Sequence, residues 1–507
     1  MSALPAELQE LADRARDAAI ELGLDFPEVA FELLDPDEVN MVAAYGGFPV
    51  RYPHWRYGMS YRQLQKGHEY GLSKIYELVI NNDPCYAYLM RTNTRMEQKL
   101  VMAHVYGHAD FFRNNMRFAP TDRRMIDTMA NHATRVRRHV DRLGAERVEE
   151  FLDACLSLEN LIDPMSLYVR RATAEEPEPE VDEDRLAAGR VRKFPSPAPY
   201  MDTYVNPKEA LDAERKKLAD EIRRKRRALA EPTRDVLGFL LHHAPLQDWQ
   251  ADCADIVREE AYYFAPQAMT KISNEGWASF VHTRLMTTRL LEPSELVDYC
   301  DKHSGTLASG PGQVNPYALG LAIFRDIEDR WNRGAHGRAW RECTDDDDRR
   351  RWNTGAGEGL RKVLEVRRGC DDLALVDAYL TADLVDRLKL YTYGRDPRTG
   401  ELVILDRDPD SIRRKLLRSL ANGGQPVIEL TDANFENRAE LLLVHRFEGV
   451  PLDESLARET LRALHRLWTR PVHVETIVDA SRVRWSFDGQ EQRTQELGKV
   501  APTAADA

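Results

Sequence analysis

The chain has 507 residues, of which 43 % are hydrophobic and 31 % charged, with a formal net charge of −13 and a pI near 5.6. That length suits two to four domains, and the negative balance argues against non-specific nucleic-acid binding. No run approaches the ~20 apolar residues of a bilayer-spanning helix, and the acidic start lacks the basic and apolar regions of an export signal. Six cysteines lie scattered without a CxxC pair, the pattern of buried thiols in a reducing cytoplasm rather than of a zinc ribbon or disulfide framework. The expectation is a cytoplasmic protein with neither membrane insertion nor a nucleic-acid partner. The basic runs Arg135–His139 and Arg223–Arg227 read as solvated or ion-paired helix faces.

Along the chain, residues 5–23 carry apolar positions at helical spacing, Leu8, Leu11, Ala15, Ala18 and Leu22. Arg51–Gly58 is aromatic and contains Pro53, which predicts an ordered loop. Ile75–Ile80 and Cys85–Met90 are apolar runs separated by Asn-Asn-Asp-Pro, a strand–turn–strand signal. Helices follow at 95–114, with Leu100, Ala103, Gly107 and Phe111 on one side, at 124–143 and at 147–161. Ala174–Asp184 is acidic and proline-rich, the composition of a solvated linker or insertion. A charged helix at about 207–230 and apolar helices at 233–243 and 247–263 come next. The last third alternates a helix at 375–390, strands at 388–393, 401–405, 426–430 and 440–445, and helices at 409–421 and 454–468. From Gln490 the composition predicts disorder.

The fold class expected from this order is α+β: a mainly helical N-terminal and central region of zincin-like kind, with a small hairpin before the histidine helix, and a small C-terminal α+β domain. The segments are 1–172, a linker or insertion at 173–206, a helical region at 207–345, the C-terminal domain at 346–480 and a tail at 481–507.

The residues that can carry chemistry centre on His104-Val-Tyr-Gly-His108. Histidines four apart on a helix share one face and can bind one ion side by side. The hydrolytic motif His-Glu-x-x-His places its general base directly after the first histidine; here Val105 stands in that position. The strand before the helix fits a zinc-hydrolase arrangement in which an edge strand presents its backbone to substrate. The best third ligand is Glu275, in Asn274-Glu-Gly-Trp-Ala278, because this motif resembles the helix that supplies a carboxylate ligand in several metallopeptidase families. His282, seven residues on, falls on the same face and can reach the same pocket. Glu259 and Glu260 are candidates for the vacated base role, His282 or Tyr262 for oxyanion stabilisation, and His132 for a further ligand. The implied cofactor is a divalent metal, zinc first. The same two histidines and carboxylate also describe a non-haem iron facial triad.

Longer stretches, among them Tyr52–Gly58, Tyr70–Asn82, Lys99–Phe112, Met129–Arg137, Arg258–Gln267, Lys271–Phe280 and Trp468–Thr476, resemble the stage V sporulation protein R (SpoVR) family. That resemblance spans about residues 25–480. It implies a role in spore cortex formation or a stress response, and company with a PrkA-type serine protein kinase and a YhbH-like protein. Two functions compete: a metal-dependent hydrolase of peptide or peptidoglycan-type amide bonds, and a non-catalytic regulator or scaffold working with that kinase.

Overall fold

The structure of the chain, a computed structural model, describes residues 4–69, 77–168, 206–208, 211–213, 215–216 and 232–499. The acidic stretch Ala174–Asp184, most of the charged helix expected at 207–230 and part of Tyr70–Asn82 lie outside them. The fold is mixed α and β. Contacts divide it into two units: Met1–Glu149 with Tyr262–Gln425, and Glu150–Ala261 with Pro426–Ala507. This division is interleaved, whereas composition suggested contiguous segments.

In the first unit, α1 (Ala6–Glu21) leads into β1 (Val29–Leu34), α2 (Pro36–Ala44) and α3 (Trp55–Glu69). The aromatic segment expected as a loop therefore enters a helix at Trp55. β2 (Glu77–Ile80) and β3 (Cys85–Met90) form the expected antiparallel pair. β1 joins β3 in parallel, giving the order β1-β3-β2. So the strand directly before the histidine helix is the central one, and β2 is an edge: β3 spends both rows of backbone groups on its neighbours.

The helix α4 (Arg95–Asn114) starts where its capping box dictates. The Glu97 N–H donates to Thr94 Oγ1 at 3.3 Å, and the Thr94 N–H donates to Glu97 Oε2 at 2.8 Å. From Met96 to Phe112 every residue but Leu100 is buried, so α4 is a central helix rather than a surface one. After α5 (Met125–Leu143), α6 (Ala145–Leu156), α7 (Val236–His243) and α8 (Asp248–Met269) come α9 (Lys271–Leu285), α10 (Leu296–Leu307) and α11 (Pro316–Asn332).

Helices α4, α9 and α11 pack together because glycines let them. A Cβ on Gly107 would lie 2.7 Å from Ala278 Cα, and one on Gly276 would lie 2.4 Å from Gly320 Cα. Both distances are shorter than real Cβ contacts, so the backbones touch where side chains would normally separate them. Behind them lie α12 (Gly359–Gly369), α13 (Asp372–Tyr379) and α14 (Ala382–Arg387). Residues 375–390 form two helices rather than one, because the Leu384 N–H donates to Thr381 Oγ1 and starts a new cap. The strand expected from Leu388 begins only at β4 (Thr392–Arg395), which pairs with β5 (Leu402–Asp406), and α15 (Pro409–Leu420) ends this part.

The second unit holds a five-stranded sheet, β10-β9-β8-β7-β6, made from β6 (Ile428–Phe435), β7 (Glu440–His445), β8 (Val472–Val478), β9 (Ser481–Phe487) and β10 (Gln492–Lys499). β7 and β8 are parallel and joined through α16 (Glu454–Trp468), which lays Leu461, Leu464 and Leu467 toward the sheet. β10 replaces the disorder expected from Gln490. It is a mostly exposed edge strand whose pairing with β9 is made by backbone groups, so its side chains can stay polar.

Two outcomes follow. Gly276→Val forces α9 off α11 and costs roughly 3 kcal/mol or more in chemical denaturation, whereas Gly58→Ala, with nothing within 4 Å of the new Cβ, is neutral or stabilising by up to ~1 kcal/mol. Asp372 caps the start of α9, accepting from the Ile272 and Ser273 N–H groups at 2.8 and 2.7 Å and from Ser273 Oγ at 2.8 Å. Burial, only partly offset by those bonds, raises its carboxyl from 3.8 to about 6. The folded state then holds a proton that the unfolded state has released between those values, so stability falls as pH rises through that window. The loss is on the order of 3 kcal/mol, and it is read as the pH-dependent difference in unfolding free energy between the wild type and Asp372→Asn.

Candidate metal centre

His104 and His108 sit one turn apart on α4, their ring centroids 4.6 Å from each other. Glu275 approaches from the first turns of α9. Its Oε2 lies 3.4 Å from His104 Nε2 and 3.4 Å from His108 Nε2. Suitable ligand atoms of all three residues fall within 4.8 Å of one another. The histidines are buried and the Glu275 side chain is 20 % exposed, so the cluster is walled by protein on one side and open on the other.

Outer partners orient the rings. His108 Nδ1 lies 2.9 Å from Asn274 Oδ1. An amide oxygen only accepts, so His108 carries a proton on Nδ1, and its Nε2 faces Glu275. His104 Nδ1 is 2.8 Å from His282 Nδ1, and His282 Nε2 is 3.2 Å from His303 Nδ1 on α10. The His108 ring stacks on Phe112 at 5.9 Å, and the His104 ring on Tyr317 of α11 at 6.2 Å.

The electrostatics match this arrangement. Burial alone would raise the Glu275 carboxyl, but His108 and His104 outweigh it and hold it far below the usual carboxylate range. His282 is pushed well below its ordinary value by burial, and then by the neighbouring His104 and His303. His303 is lowered by burial and by the Arg325 cation. A cluster of one ionised carboxylate and two imidazoles has the donor set of a divalent-cation site, two nitrogens and one oxygen.

The cluster opens onto a cavity of about 770 Å³ lined entirely by the first unit. Leu78 and Val79 of the edge strand, with Leu100 and Phe112, form an apolar wall; Lys271, Asp301, Lys302 and Tyr317 bring polar groups. Lys302 pairs with Glu97 at 3.0 Å across the cavity.

Of the residues singled out from sequence, His104, His108, Glu275 and His282 meet here. His132, buried on α5, does not line the cavity. Tyr262 is buried on α8 and is not a lining residue either. Glu260, buried, and Glu259, exposed, belong to the second unit and are likewise not among the lining residues. Sequence reasoning passed over His303, Asn274 as a ring-orienting group, and Tyr317. Asn274 and Tyr317 carry a local signal, one adjoining Glu275 and the other in the capped start of α11; His303 stands in a polar stretch that gives none.

The positions of α4 and α9 are set by one more buried group. Asp110, two residues after His108, accepts from Trp277 Nε1 at 2.9 Å and from the Asp25 N–H at 2.9 Å, and lies 3.3 Å from the buried Arg367. The four residues of Glu275-Gly-Trp-Ala thus make four different contacts. Glu275 faces the histidines, Gly276 meets Gly320, Trp277 binds Asp110, and Ala278 meets Gly107.

An α+β protein with two histidines and a glutamate converging on a cavity is the class that fold and site define. The chain matches the family described as SpoVR like protein over residues 3–425, and the SpoVR-like C-terminal domain over residues 426–479. It belongs to the SpoVR family. The second match begins at Pro426, where the chain re-enters the second unit. A relative described as "Uncharacterized protein YcgB" from Escherichia coli (strain K12) is 28 % identical over 465 residues, covering 86 % of this chain and 85 % of the relative. No solved structure matches.

Trp277→Phe keeps the ring but leaves Asp110 short of a donor. A loss of about 1.5–3 kcal/mol in unfolding free energy is expected, the range for hydrogen bonds to charged groups.

Proposed function

We propose that this protein is a metal-dependent hydrolase of zincin-like kind, acting on a peptide or peptidoglycan-type amide bond. The observation that supports it is the convergence of His104 Nε2 and His108 Nε2 on one Glu275 oxygen, each at 3.4 Å, facing a cavity large enough for a peptide fragment. In this reading His104, His108 and Glu275 hold zinc, which when bound lowers the pKa of a water ligand and polarises the carbonyl. Asn274 keeps the His108 tautomer fit for ligation. Leu78, Val79, Leu100 and Phe112 receive an apolar side chain and keep water off that face. Val105, fully buried, supplies no base. Of the other lining carboxylates, Glu97 is engaged by Lys302 and the Thr94 amide, which leaves Asp301 to take the proton. The biological setting that goes with the reading is the cytoplasmic one expected above, in spore cortex formation or a stress response.

The missing glutamate at Val105 favours a second reading, in which the same three ligands hold iron(II) with open positions for an oxygenase-type reaction. Elemental analysis separates the two. Purified wild type should carry about one equivalent of zinc, as a three-ligand site with an open position does. His104→Ala and Glu275→Gln should each bring it below roughly a tenth, and Asn274→Ala should weaken zinc affinity ~10–100-fold. Iron in place of zinc selects the second reading. Wild type that takes up neither metal ends both and leaves the non-catalytic regulator.

A further inference from the structure

His104, His282 and His303 form a chain of imidazoles running from a proposed ligand to the cavity lining. Each N···N contact, 2.8 Å and then 3.2 Å, holds one proton between two nitrogens. A neutral imidazole has one donor nitrogen and one acceptor nitrogen. His282 is buried with both nitrogens engaged, so the direction of the first hydrogen bond dictates that of the second.

The direction differs between two states of the site. With an ion on His104 Nε2, the His104 proton must sit on Nδ1, which donates to His282 Nδ1. His282 then carries its proton on Nε2 and donates to His303 Nδ1. The His303 proton is left on Nε2, the nitrogen outside the chain. Without an ion, the ionised Glu275 only accepts, and its oxygen lies 3.4 Å from His104 Nε2. His104 is then protonated on Nε2, His282 donates from Nδ1, and His303 donates from its own Nδ1, leaving a lone pair on Nε2. The plane of the His303 ring is held by its stack on the buried Tyr299, at 5.5 Å with planes 12° apart, and its Nδ1 by the contact with His282.

We propose that occupancy of the metal centre inverts this chain, so that His303 Nε2 is a hydrogen-bond donor when metal is bound and an acceptor when it is not. This rests on the metal reading above. The substrate class it selects carries a carbonyl or carboxylate oxygen at the His303 position, away from the bond that is cut, and the apo protein does not offer that contact. His282 is the positioning residue that couples the two places.

The test is NMR of full-length protein with ¹³C,¹⁵N-labelled histidine, in which ring-nitrogen shifts report the tautomer, recorded chelator-treated and zinc-loaded. Signals are assigned by their loss in His303→Gln and His282→Gln. The expected result is His303 protonated on Nδ1 without zinc and on Nε2 with it, and no such change at His303 in His282→Gln while zinc still binds. Zinc bound at one equivalent with an unchanged or doubly protonated His303 overturns the chain inversion alone. No zinc uptake, with all three tautomers unchanged, overturns the metal reading and the inversion together.

Discussion

The contact on which the rest depends is the approach of helix backbones at Gly107 against Ala278 and at Gly276 against Gly320. A histidine and a glutamate on facing helices meet only when the helix axes are close enough for two short reaches to overlap. Side chains at these positions would widen the gap and pull Glu275 away from both imidazoles. Distance alone does not set the rotation of α9 about its axis. That is fixed by the Trp277 bond to Asp110, and its starting point by the Asp372 cap. Spacing, rotation and register are thus set by three separate interactions, none of which touches the candidate ligands.

The surroundings of the site are unusually charged for a protein interior. Lys99 on α4 has a side chain 1 % exposed and is held by Glu295 at 2.7 Å, and Arg367 is buried beside Asp110. Buried ion pairs of this kind contribute little net stability, because desolvation offsets the attraction, yet breaking one partner away is costly. Their effect is to make alternative packings of α4 expensive. A helix with an apolar stripe can slide or roll against its neighbours; one that must satisfy Lys99, Asp110 and the Thr94–Glu97 cap at once has a single seat.

Some of this was legible in the sequence and some was not, for physical reasons. The limits of α4 followed from the helical spacing of Leu100, Ala103, Gly107 and Phe111, which is local, and the β2–β3 pair followed from its turn residues. The i,i+4 histidines and Glu275 were legible because helical periodicity brings the first two together and the Gly-Trp-Ala context marked the third. β1 was not, since a strand that pairs in parallel with a distant partner leaves no turn signal beside it. Nor was the full burial of α4, because Lys99, Glu97 and Asp110 look like a solvated face until their partners at 295, 302, 277 and 367 are known. The polar strand β10 was hidden for the opposite reason: backbone pairing at an edge asks nothing of its side chains.

The chain order of the first unit carries a further consequence. Its two segments are separated by residues 150–261, so His108 and Glu275 come together from positions 167 apart in the sequence. Contacts of such long range form only after a large loss of chain entropy. The Gly107–Ala278 crossing, the Trp277–Asp110 bond and the Lys99–Glu295 pair all bridge α4 to the later segment, and so are made at that same late step. An ion gripped by His104, His108 and Glu275 would bind the joined form alone, adding its binding free energy to the association of the two segments. The ring-orienting partners Asn274 and His282 lie on the later segment as well, so the ligand histidines acquire both their carboxylate and their proper tautomers in the same event.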